Sequence, residues 1–274
     1  MPEEDPIKTA KEGVSVVAEI IKAAGDDPSV KEAAGNLGKT AVTLTKTINN
    51  ALLPLAAINF AFDKARKYFS SQFQQDLTDK AKNIPEEHIV QPKASVAGPT
   101  LQGLAFTHDE ANLKEMFLNL LATSMDGRKA DIAHPAFVEI IKQLDSEDAR
   151  LVQGTLKSEA PIPIVEIHTE LKNGKGQEIQ LRHLLNLKIT STGQPVEDSK
   201  LAAMVDNWIR LGLVKVEYDK FLTEPSHYSW VESRPEYKRL CDSLNNDERK
   251  VEYTRGIIYR TELGKRFAAA VGVN

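Results

Sequence analysis

The sequence predicts a mainly α protein in two parts: an all-helical N-terminal domain over residues 1–145 and a C-terminal α+β domain over 146–274. Three observations predict it. Apolar residues recur every three or four positions through the first part, the period of one helix face. After Ser158 the chain turns to β-branched runs separated by a Gly-rich turn, the pattern of paired strands. A length of 274 residues leaves room for about two domains.

Ile7, Ala10, Val14, Val17 and Ile21 predict a first helix, started by Asp5-Pro6 and stopped around Gly25. Leu37, Ala41, Leu44 and Ile48 predict a second. Ile58, Phe62, Phe69, Phe73 and Leu77 predict a third, set apart from it by Pro54. Residues 83–100 carry three prolines and no sustained period, and read as an extended connection. Thr107 with Glu110 fits a capping box before a helix that buries Leu113, Met116, Phe117, Leu120 and Leu121. Pro135 opens the next helix, through Leu144, and Ser146 caps another to about Leu156.

In the second part, 161–168 and 177–181 read as strands joined by the turn Asn173-Gly174-Lys175-Gly176. A helix follows from about Glu197 to Leu211, burying Leu201, Met204, Val205, Trp208 and Ile209, with Gly212 as its C-terminal cap. Leu213–Tyr218 and Gly256–Thr261 read as strands, 236–244 as a helix between them, and 263–271 as the last helix.

Two resemblances emerge. Asn207-Trp208-Ile209-Arg210-Leu211-Gly212-Leu213-Val214, with Thr261 and Gly264 in the later strand-to-helix exit, resembles a winged-helix domain whose wing carries a long insertion, about 219–254. The ordered set Asn36–Thr40, Ala51–Leu55, Ile84–Glu87, Pro99–Leu104, Leu113–Ala122 and His134–Ile141 resembles the Abi-alpha family of bacterial proteins, over about residues 30–155. That likeness implies a role in abortive infection, a phage-defence strategy in which an infected cell stops growing or dies. It carries no catalytic residue onto this chain.

Residue chemistry argues against an enzyme. Gly35-Asn36-Leu37-Gly38-Lys39-Thr40 lacks a phosphate loop's first glycine, since position 33 is alanine, and no apolar strand precedes it. Close helix packing explains its glycines. The six histidines form no H-E-x-x-H motif, and Cys241 is the single cysteine, so no catalytic residue, cofactor or metal site is expected. His134 before Pro135 reads as a structural turn at a helix entry. The 35 basic and 39 acidic side chains give a net charge of −4, which disfavours bulk attraction to nucleic acid or anionic lipid. The polar, acidic N-terminus does not read as a signal peptide, and a cytoplasmic location is expected.

The leading expectation is therefore a non-enzymatic phage-defence protein acting by macromolecular interaction or sensing, with a host or phage protein as its partner. One alternative is a membrane-active effector. Thr47–Phe62 has no charge in sixteen residues, and Leu52, Leu53, Leu55, Ile58, Phe60 and Phe62 would insert after activation. A spanning helix needs about 20 apolar residues, so a buried core helix is the plainer reading. Another alternative is a DNA-binding regulator using Lys200, Asn207 and Arg210. Without the insertion the second part carries 12 basic and 9 acidic side chains, a thin surplus for phosphate contact. The aromatics Phe60, Phe62, Tyr68, Phe69 and Phe73 would serve a homo-oligomer seam or the core.

Overall fold

The computed structural model describes residues 59–174 and 176–273. The helices expected at 7–21 and 37–48, the Gly35–Thr40 segment and Leu52–Ile58 lie outside the described residues, as do the side chains of Phe60 and Phe62. The chain divides into two units. One holds the described residues up to Leu151 together with those from Arg266; the other is Val152–Lys265.

The first unit is helical. Its elements are α1 (Asn59–Ser71), α2 (Phe73–Ala81), α3 (Ala94–Thr107), α4 (Ala111–Met125), α5 (Pro135–Ile141) and the start of α6 (Ser146–Lys157), plus the end of α9 (Glu262–Ala270). Leu101, Leu104, Phe117, Leu120, Leu121 and Phe137 are buried at its centre, and the Phe137 and Phe267 rings meet edge to face at 5.5 Å. Tyr68, Phe69 and Phe73 are buried against one another in this unit. Two local expectations are corrected. Part of 83–100 is helix α3, with Pro99 inside it, because burying Val96, Ala97, Leu101 and Leu104 outweighs the proline's missing donor. No capping box forms, because Thr107 ends α3 and spends its hydroxyl on the Gly103 carbonyl.

The second unit overturns the mainly α, winged-helix-like assignment. Its centre is a four-stranded antiparallel sheet in the order β2-β1-β4-β3, formed by β1 (Ile162–Leu171), β2 (Gln177–Leu185), β3 (Val214–Glu217) and β4 (Arg249–Arg260). β4 is no returning wing strand. It pairs with β1 from Leu171↔Arg249 to Ile162↔Ile258, and with β3 from Glu217↔Ile257 to Val214↔Arg260. The stretch expected as wing insertion thus includes the first half of the longest strand. The physical reason is burial of one face. Val165, Ile167 and Val251 on one face are covered by Tyr228, Trp230 and Val231, and by α8 (Pro235–Leu244) through Tyr237, Leu240 and Leu244.

Two further local features set the frame. After α7 (Leu201–Arg210), Gly212 has φ +72°, its N–H bonds the Ile209 carbonyl, and the Leu213 N–H bonds the Trp208 carbonyl. This left-handed stop turns the chain directly into β3. At the far end of β4, Thr261 Oγ1 accepts the Gly264 N–H at 2.9 Å and starts α9. A β-carbon on Gly264 would stand 2.0 Å from the Leu213 carbonyl oxygen, so only glycine lets the helix lie that close.

Candidate functional site

The second unit carries an open groove of about 860 Å³, running along the free edge of β2 between the start of α7 and α8. Leu181, Leu184, Leu201 and Leu240 supply its apolar lining. Glu197, Asp198, Glu236 and Asp242 supply carboxylates, against Arg182 and Arg239. Glu197 accepts from Arg239 at 2.5 Å across the rim, and the guanidinium hydrogen bond lowers the Glu197 carboxyl below its ordinary value. Arg182 sits 3.3 Å from Glu166. Asp198 Oδ1 accepts the Lys200 N–H at 2.8 Å just before α7 begins.

Arg234 holds the groove's walls. Its side chain is 1% exposed, and its guanidinium donates to the Leu187 carbonyl at 2.8 Å, the Val196 carbonyl at 2.7 Å and both Glu236 oxygens. The loop leading to α7 is thereby tied to the first turn of α8. Arg234 directly precedes Pro235, which opens that helix, so the clamp stands at a fixed point of the backbone.

The edge strand beside the groove is irregular. Val165↔Leu184 is followed by Ile167↔Leu181, and then by His168↔Ile179, so β2 carries an extra residue at each step and bends. His183 occupies the first bulge with φ +57°, the one non-glycine residue in the left-handed region among the described residues. Three bonds hold it there. The Tyr218 hydroxyl accepts the His183 N–H at 3.2 Å and lies 3.0 Å from Nδ1, while Nε2 lies 3.2 Å from Asp206 Oδ1 on α7. With Nε2 donating to the carboxylate, the hydroxyl donates to Nδ1 and every polar atom is served. The two rings stack at 6.0 Å. Tyr218 lies over Gly256, where a β-carbon would come 2.5 Å from its Cδ1. Burial pushes the Tyr218 hydroxyl well above the ordinary tyrosine range.

His183, Asp206 and Tyr218 resemble a relay in composition, yet His183 is 5% exposed and its ring is closed in by Tyr218. The trio fixes the bulge. Among the described residues, no three His, Cys, Asp or Glu side chains are arranged to hold a metal ion. No helix among them is long and apolar enough to cross a membrane.

Of the residues singled out from sequence, Asn207 and Arg210 meet on α7, where Arg210 donates to Asn207 Oδ1 at 2.6 Å. Lys200 lies at the opposite end of that helix, roughly 15 Å along its axis. The three do not converge. His134 sits at the N-cap of α5 with Pro135 in the first position, and its Nδ1 accepts the Ala136 N–H at 3.1 Å. Sequence reasoning missed Arg234, Glu236, His183 and Tyr218. Apart from the Arg234–Glu236 pair, their partners lie 23 to 47 residues away, and no local spacing signals such pairs.

A family described as Abortive infection alpha matches residues 65–271, and no solved structure matches the chain. The match runs well past residue 155, where the sequence likeness was expected to end, so the sheet and its groove belong to the family's matched region.

Proposed function

The chain belongs to the Abortive infection alpha family, which gives it a role in abortive infection and phage defence, and from that premise we propose that it acts in the cytoplasm as a binding protein and not as an enzyme, holding a protein partner of host or phage origin in the groove beside β2. The observation that carries this reading is the groove itself. It is open, it is braced by the buried Arg234, and it sets an apolar lining beside charged rims, the combination typical of recognition surfaces. Several charged side chains around it are engaged in bracing: Arg234 with Glu236, Arg239 with Glu197, His183 with Asp206.

Plating efficiency of phage on cells expressing the chain tests it. Ala202 lines the groove from α7, and Ala202→Trp plugs it without cutting into a packed core. Phe221, 47% exposed and absent from the groove lining, provides a control in Phe221→Ser. The expected outcome is loss of protection with the plug and full protection with the control. Full protection by a folded Ala202→Trp chain overturns the reading.

A further inference from the structure

We propose that the groove takes a basic segment bearing an apolar anchor residue, gripped through its side chains and not added to the sheet as a strand. This rests on the groove being the docking site. The charge argument comes from the walls. Glu236 is neutralised by Arg234, Glu197 by Arg239, and Arg182 turns to Glu166. Asp198 and Asp242 enter no ion pair among the described residues, which leaves the groove with a negative surplus from two different walls, the entry to α7 and the face of α8. A cationic segment meets complementary charge there, and an acidic one meets repulsion that is not offset.

The anchor follows from the lining. Leu184 and Leu201 are buried at the floor, with Leu181 and Leu240 partly buried beside them, so an inserted aliphatic side chain exchanges water for carbon on several sides. The binding mode follows from the bulges. An incoming strand needs a regular row of outward N–H and C=O groups, and the two extra residues of β2 interrupt that row along the groove. The His183 N–H is moreover already held by Tyr218. Side-chain capture is the mode that remains.

Fluorescence anisotropy on the full chain tests this with three labelled ten-residue peptides: one of lysine and leucine, the same with glutamate for lysine, and the lysine version with a central proline. The lysine–leucine peptide is expected to bind, more weakly as salt rises, and the glutamate peptide not to bind. The proline version should bind about as well as its parent, since no ladder is broken. Asp242→Lys combined with Asp198→Asn should weaken binding about tenfold; the asparagine retains the oxygen that caps the Lys200 N–H. Ala202→Trp should abolish binding. Equal binding of the glutamate peptide, indifference to the aspartate changes, or a proline that abolishes binding each overturns the proposal. If the peptides fail in this way while Ala202→Trp still removes protection from phage, the docking site stands and only the proposed charge preference or mode of capture falls. If Ala202→Trp leaves protection intact, both fall.

Discussion

Glu217 shows how much a single half-buried strand end concentrates. Its carboxylate accepts from Lys215 at 2.6 Å, from Lys220 at 2.9 Å and from the Tyr259 hydroxyl at 2.8 Å, and these bonds pull its pKa from 4.5 to about 2. A carboxyl depressed on folding adds stability above its unfolded value, and that contribution is lost as pH falls through the folded one. Melting temperatures of the parent chain and Glu217→Gln should therefore differ at pH 7 and converge between about pH 4.5 and pH 2. A constant gap across that window would show that Glu217 does not carry the interaction. Gly264 gives a test of opposite character. Helix propensity alone favours alanine there by about 1 kcal/mol. The 2.0 Å approach to the Leu213 carbonyl predicts the reverse, a loss of about 1–3 kcal/mol in Gly264→Ala, as measured by denaturant unfolding.

At the scale of elements, the local signals were readable and the long-range ones were not. The proline-led start of α5, the glycine stop after α7 and the Asn-Gly turn between β1 and β2 each rest on one or two residues whose backbone preference is local. The His134 cap of α5 is of this kind: His134→Ala should cost about 1 kcal/mol and His134→Asn much less, read by thermal unfolding. The full length of β4 was hidden, because Arg249, Lys250 and Glu252 make its first residues look like surface loop, and only pairing with β1 reveals a strand. Arg234 was hidden for the same reason. Its partners at 187 and 196 are loop carbonyls, which a sequence does not display. Arg234→Ala leaves Glu236 without its cation and two carbonyls without a donor, and should cost about 3–5 kcal/mol. Both tryptophans of the chain, Trp208 and Trp230, lie in Val152–Lys265, so tryptophan fluorescence during denaturation reports that unit. An unchanged midpoint would show that the clamp is dispensable.

For the whole molecule, the helical character of the first unit followed from the three-to-four residue period of its apolar side chains. The second unit was misread because helix, glycine stop and strand are shared by several architectures. Which strands pair decides among them, and β4 pairs with β1 as well as β3. The groove could not be read at all, since its walls come from residues 180–184, 197–202 and 236–243, and their meeting is a product of the sheet. The central claim is that this groove is where the chain meets its partner during infection. A photo-crosslinking amino acid placed at Ser243, on the groove wall, and in a second chain at Phe221, outside it, tests that claim most directly in phage-challenged cells. Infection should produce a discrete, heavier adduct from position 243 and none from 221. Protection from phage with no adduct at 243 would contradict it.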